Sequence, residues 1–426
     1  MKKEARYTTA GALAAEGTEH LPDFLKSGTH LIYSSPATLA FNSPGAEGFG
    51  VKRAGLAVPG SVMLIVSPPC CGRNTSLISA MPKYERRFFY FNLEEKDIVT
   101  GRHLTKIPQA AAEIVDSLEE KPSVLMICIT CVDALLGTDM ERVCRRAQEA
   151  AGVPVRPCYM YALTRDGSRP PMVHVRQSLC ELLEKRPRKG TSVNLLGYFA
   201  PVEQSSELFD LLHQAGVRQI RQIATCENYA AFLDMAEANF NLLLHPEGRA
   251  AAQDLSDRLG IPYIELARLY DIDRIRRQYR AFGRALDVTF DDAAPAAEAE
   301  AARDDFIRRH RGMRFSIGER LNADPFELAM ALCTGGLCIT EIFGTVTEEN
   351  FVWIRALAAV SPDTRIYSNL EPTMLYYTDS GDAEFALGAD ARYYHPDLPG
   401  IDWNDEIQPF GLSAVSELFR KMEAAL

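Results

Sequence analysis

SVMLIVSPPCCGRN (61–74) and SVLMICITC (123–131) decide the fold. Each opens with an unbroken apolar run of strand length instead of an alternation. A strand apolar on both faces belongs inside a parallel sheet covered by helices on both sides. Five more such runs follow: SVNLLGYFAP (192–201), FNLLLHP (240–246), MRFSIGE (313–319), GLCITEIFG (336–344) and TRIYSNLEP (364–372). Helix-like stretches lie between the runs, among them IPQAAAEIVDSLEE, DMERVCRRAQEAAG and SSELFDLLHQAG. The last two end in glycine, as a helix C-cap does. Strands alternating with helices predict an α/β protein with parallel sheets, built from several Rossmann-like units.

At 426 residues the chain exceeds one ordinary core. KRPRKG (185–190) reads as a solvated linker, and DDAAPAAEAEAARDD (291–305) as either an exposed helix or a connector. They divide the chain into 1–190, 191–310 and 311–426. A net charge of −11, with no basic patch interleaved with aromatics, argues against a nucleic-acid surface. No apolar stretch reaches the roughly 18 residues of a membrane span. The N-terminal stretch has no continuous apolar core of a signal peptide, so a cytoplasmic location is expected.

Several common chemistries are missing. There is no GxxxxGK[ST] loop, so ATP hydrolysis by this chain is not expected. GFGVKRAG (48–55) follows no strand and makes a poor dinucleotide fingerprint. Neither HExxH nor GxSxG occurs.

The ten cysteines carry more information. In a large cytoplasmic chain most are expected to be buried thiols. Cys71 follows the first run and Cys131 closes the second. If the two strands are neighbours, both thiols reach the carboxyl edge of one sheet, where open α/β sheets collect ligands. Thiolates there suit an Fe–S cluster or zinc. Cys128, three residues before Cys131, points to the opposite strand face and is assigned to the core. Cys70 either packs beside Cys71 or replaces it if the loop shifts by one residue.

FNLEEKDIVTGRHLTKIPQAAAEI (91–114), ITCVDALLGTDMERV (129–143), VPGSVMLIVSPPCCGRN (58–74) and NLLLHPEGRAAAQDLSDRLGIPYIEL (241–266) together resemble the nitrogenase component 1 family. The family includes nitrogenase subunits, subunits of dark-operative protochlorophyllide reductase, cofactor scaffold proteins and a nickel-tetrapyrrole reductase. The resemblance implies three Rossmann-like domains, with Cys71 and Cys131 as ligands of a [4Fe–4S] cluster at a dimer interface. It also implies a homodimer, or a heterodimer with a paralogous subunit. Electrons would come from a separate ATP-dependent Fe–S reductase and pass to a substrate between the domains. A non-catalytic scaffold for a metallocluster or tetrapyrrole is the alternative, and a cluster-free relic is the third reading.

The departures from the family pattern matter too. Phe41 stands where the family carries its first cysteine, and Val66 replaces the histidine of the loop. Two cysteines per chain cannot complete four-cysteine ligation, so a second chain would supply the rest. Pro246 stands near the cysteine that holds the large metallocluster of nitrogenase, so dinitrogen reduction is not expected. His245 is then either a coordinating residue or a strand-end histidine bonded to its loop. Cys226 is a candidate to line the cavity, and Arg73 to neutralise cluster charge. Glu341 and Glu371, near strand ends, are candidate proton donors. His395 lies in no matching motif, and Cys333 and Cys338 are expected to pack.

Overall fold

Among the described residues, every strand pair but one is parallel, as continuous apolarity leads one to expect. The computed structural model describes residues 3–26, 50–69, 76–130, 136–160 and 169–426. The strands are β1 (Thr8–Thr9), β2 (Val62–Ser67), β3 (Phe88–Asn92), β4 (Leu125–Thr130), β5 (Val155–Met160), β6 (Lys189–Leu196) and β7 (Gln219–Arg221). They continue with β8 (Ala238–Leu243), β9 (Tyr263–Glu265), β10 (Arg314–Ile317), β11 (Cys338–Phe343), β12 (Arg365–Tyr367), β13 (Phe385–Leu387) and β14 (Gly400–Ile401). They form three sheets, ordered β3-β2-β4-β5, β7-β6-β8-β9 and β1-β12-β11-β10-β13-β14. β1 alone pairs antiparallel, against β12, so the six-stranded sheet draws on both ends of the chain. The expected α/β architecture with parallel sheets is the observed one.

The chain clusters into two compact units. One contains Glu47–Pro201 and Val217–Ala267 and holds both four-stranded sheets. Within it Met63 and Ile65 of β2, Met126 and Cys128 of β4, and Leu196 and Leu243 of the β6–β8 pair belong to one buried cluster. The opposite face of β2 and β4 buries Leu64, Val66, Ile127 and Ile129 against helices His103–Ser117 and Met140–Ala151. Every residue of β2 and β4 is buried, which explains the missing alternation. Each large apolar side chain buried there contributes roughly 1.5–3 kcal/mol. The other unit contains Met1–Ala46, Val202–Gly216 and Arg268–Leu426 and holds the six-stranded sheet.

Local chemistry sets the helix ends. Asp139 accepts the Arg142 amide hydrogen at 3.0 Å to start Met140–Ala151, and Gly152 ends it in the left-handed region at φ 67°. The 291–305 stretch is helical: it forms most of Ala293–His310, which buries Ala296, Ala299 and Phe306. KRPRKG is exposed over most of its length, and its cations reach neighbouring loops. Arg186 pairs with Asp234 at 2.6 Å, Arg188 donates to the Asn239 and Gly260 carbonyls, and Lys189 already begins β6. These long cations lie over the unit and bind its loops, which composition alone cannot show.

Two glycines set a close approach at the carboxyl ends of β6 and β8. Gly197 has φ 112°, and a Cβ there would stand 2.7 Å from the His245 backbone nitrogen. The Gly248 Cβ position lies 3.2 Å from Gly197 Cα. Gly197→Ala should therefore cost about 3 kcal/mol of stability, read as a lowered urea midpoint. An unchanged midpoint would show that β6 and β8 tolerate separation there.

Candidate functional site

The carboxyl edge of the β3-β2-β4-β5 sheet is built by one register. Val66 of β2 pairs with Ile129 of β4. Ser67 and Thr130 therefore end adjacent parallel strands, each with 1% exposure. Among the described residues the Thr130 hydroxyl has no hydrogen-bond partner, an orphaned polar atom at a ligand-collecting edge. Cys131 is the next residue in the chain, and Cys70 and Cys71 follow Ser67 by three and four residues. All three, with Phe41 and Arg73, lie outside the described residues. The expectation that the two strands are neighbours is met. Thiols that follow two neighbouring strands in the sequence are the donor type suited to a soft-metal group such as the Fe–S cluster implied by the resemblance. Among the described residues no group of three or more His, Cys, Asp and Glu side chains is arranged to hold a metal ion.

Cys128 is a core residue. It is fully buried and sits in register with Cys158 of β5. The Cys158 thiol bonds to the Val51 carbonyl at 3.5 Å, and the Cys128 contact together with burial pushes its pKa up. The Cys158 thiol is therefore not poised to ionise.

The second carboxyl edge, at β6 and β8, carries His245. Its Nδ1 accepts the Glu247 amide hydrogen at 3.3 Å, and its ring meets Tyr198 edge-on at 5.5 Å. This geometry is that of a strand-end histidine bonded to its loop. Beneath it lies Arg176, which the sequence did not single out. Its guanidinium donates to the Gly197 carbonyl at 2.8 Å and to Glu247 at 2.7 Å, and stacks over Phe199 at 4.7 Å. Burial lowers its pKa, and Glu247 opposes that shift. Arg176 lines a cleft of about 40 Å³ with Gly197, Tyr198 and Phe199. Cys226 is not part of that lining; Ile223 is. The Cys226 thiol, raised in pKa by burial, donates to the Gln222 carbonyl at 3.3 Å.

The six-stranded sheet closes its own carboxyl edge. Asn369, after β12, donates to Glu319, after β10, at 3.0 Å and to Asp390, after β13, at 2.6 Å. Thr345, after β11, donates through both its amide and its hydroxyl to Glu319. Burial first, and the charge of Asp390 second, raise the Glu319 pKa. Glu341 lies within β11 at 1% exposure, not at a cleft. It accepts from Tyr377 at 2.8 Å, pairs with Arg365 at 3.4 Å and meets His395 Nε2 at 2.5 Å. Asp379 stands 3.1 Å from His395 Nδ1, an ion-pair contact and not a directed hydrogen bond. Glu371 caps the short turn Pro372–Tyr376. The Glu341 cluster joins residues far apart in sequence, so no local motif could reveal it.

Parallel α/β sheets whose strand ends lead to paired cysteines define a class of ligand-binding oxidoreductase-like folds. The chain belongs to the nitrogenase component 1 type oxidoreductase family, whose model matches residues 47–320. The nitrogenase iron-molybdenum cofactor biosynthesis protein NifE of Sinorhizobium fredii is 24% identical over 92% of this chain and 83% of its own length. NifE of Klebsiella pneumoniae is 28% identical over 45% of this chain, a match that spans 44% of that protein. NifE of Rhodobacter capsulatus is 25% identical over 54% of this chain and 49% of its own length. A solved structure titled nitrogenase Cp1 at pH 6.5 superposes with a TM-score of 0.69 and 14% identity over 88% of this chain and 90% of that one. It supports the fold. No helix among the described residues is long and apolar enough to cross a membrane.

The Glu341 cluster predicts a pH dependence. Burial lowers the His395 pKa, but Glu341 and Asp379 outweigh it and the net shift is upward. A raised pKa stabilises the fold fully below the unfolded histidine value of about 6.5. That stability is lost as pH rises through the raised folded value. The urea midpoint should fall from mildly acid to alkaline pH in the wild type, and His395→Gln should flatten that fall. Parallel profiles would mean His395 is neutral throughout.

Proposed function

We propose that the chain is a metallocluster-holding member of its family that serves cofactor assembly, as the NifE relatives are named to do, and not a dinitrogen reductase. The pairing of β2 with β4 carries this reading. It directs the chain toward Cys71 and toward Cys131 at the same carboxyl edge. With Phe41 in place of a third cysteine, each chain offers two thiols of the matching pattern, and Cys70 is the reserve donor. A [4Fe–4S] cluster would take four, so a second copy or a paralogous subunit supplies the remainder. Such a cluster would supply soft, one-electron redox chemistry, while the burial of the strand ends Ser67 and Thr130 would limit water around it.

Assembly is favoured over turnover by the state of the acid and base groups. Glu341 is enclosed by Arg365, Tyr377 and His395, and Glu319 is bonded to Asn369 and Thr345. Neither stands free as a proton donor. His245 has its Nδ1 engaged with its own loop, and Cys226 is bonded to Gln222. Both remain proposed contacts for a cargo and not established ligands. The second reading follows from the family: an oxidoreductase fed by an ATP-dependent Fe–S reductase in the cytoplasm. The three-part division at 190 and 310 is proposed as the domain plan.

Anaerobically purified protein should contain iron and acid-labile sulfide, and Cys131→Ala should lose both together with the visible absorption. A fully loaded Cys131→Ala protein would overturn the cluster assignment. Product formed when a cognate reductase and ATP are added would replace assembly by turnover.

A further inference from the structure

Five tyrosines in the unit holding the six-stranded sheet form a continuous line of ring contacts. Tyr7 meets Tyr367 at 5.3 Å between ring centroids, and Tyr367 meets Tyr377 at 5.5 Å. Tyr377 meets Tyr394 at 4.9 Å, and Tyr394 meets Tyr393 at 5.8 Å. The line is exposed at both ends, with Tyr7 at 51% and Tyr393 at 48%, and buried at Tyr367 and Tyr394. Phe343 packs against the three middle rings and fills the space around them. The middle of the line carries a base. The Tyr377 hydroxyl donates to Glu341 Oε1 at 2.8 Å, with His395 Nε2 3.1 Å from the same hydroxyl.

We propose that Tyr377 is a redox-active tyrosine, oxidised by one electron through this line of rings while its proton passes to Glu341. A half-buried phenol that loses an electron becomes a strong acid, and a positive charge left on it away from bulk water is costly. The oxidation is therefore feasible only where a base already accepts the hydroxyl hydrogen, and Glu341 is that base. The step balances as follows. A strong one-electron oxidant, of the radical or photo-oxidised metal-complex class, docked at Tyr7 or Tyr393 takes the electron from Tyr377. The intervening rings serve as the tunnelling path and none of them is itself oxidised. The Tyr377 O–H bond breaks, a Glu341 O–H bond forms, and a neutral phenoxyl radical remains. A one-electron reductant such as ascorbate at the exposed end reverses each transfer. Arg365 and His395 hold the Glu341 carboxylate in place and compensate its charge before the proton arrives. The activity is independent of the cluster at the β2–β4 edge.

The test uses the purified full chain, tris(bipyridyl)ruthenium(II), a sacrificial acceptor and a laser flash. Transient absorption and freeze-quench electron paramagnetic resonance read the products. The expected result is a tyrosyl radical that is lost in Tyr377→Phe and retained in Tyr90→Phe, a variant of an exposed tyrosine in the other unit. Radical formation in the wild type should slow in D₂O and be independent of buffer concentration, since the proton acceptor is internal. A radical that persists in Tyr377→Phe would overturn the assignment. So would a wild-type rate proportional to buffer base, or no tyrosyl signal at all. The two wild-type measurements decide the matter even if the variant does not fold.

Discussion

A strand with apolar residues on both faces can satisfy its amide and carbonyl groups only through neighbouring strands, because no water reaches it. β2 and β4 are in that position, with all their residues buried. Their parallel ladder is consequently obligatory, and a slip by one residue would exchange the two core faces. The same ladder places both carboxyl ends at one edge. The location of the candidate site is thus a by-product of backbone hydrogen bonding and not of any preference of the side chains at the site.

Three sheets obey this rule and close their carboxyl edges in different ways. At β6 and β8, Gly197 and Gly248 let the backbones approach, and Arg176 binds the Gly197 carbonyl from below. At the six-stranded sheet, Asp390 accepts the amides of Glu319 and Arg320 at 3.0 Å, while Asn369 joins Asp390 to Glu319. A built-in carboxylate there occupies the amide hydrogens that an anionic ligand would otherwise use. At β2 and β4 the described residues leave the Thr130 hydroxyl orphaned instead.

The long, doubly buried strands were legible in the sequence because burial on both faces removes polar residues from the run. Each of the seven quoted runs contains a strand. β3 (FFYFN), β5, β7, β9 and β13 were not marked, for physical reasons that differ. β3 is an edge strand with exposed Tyr90, β5 contains Pro157, and β7, β9 and β13 are three residues long. The helix ends at Gly152 and Gly216 were readable because left-handed backbone favours glycine. At the site, strand adjacency was legible but side-chain partners were not. Arg176 and Glu247 lie 71 positions apart, and Glu341 and His395 lie 54 apart, so only the folded chain brings them together.

The same contrast separates cysteines that share a motif. Cys128 and Cys131 form a CxxC, a spacing associated with metal and redox sites. On a strand that spacing places the two side chains on opposite faces, and register gives Cys128 a fully buried partner in Cys158. Its partner Cys158 is held as the thiol, because the Cys128 contact and burial raise the Cys158 pKa. Cys131 differs in following Thr130, the last residue of β4, in the sequence. A cysteine motif on a strand therefore has to be read by position relative to the strand's carboxyl end, and spacing is secondary. By that criterion the proposed pair is Cys71 and Cys131, the residues that follow two different strands in the sequence, and β2 and β4 are neighbours in one sheet.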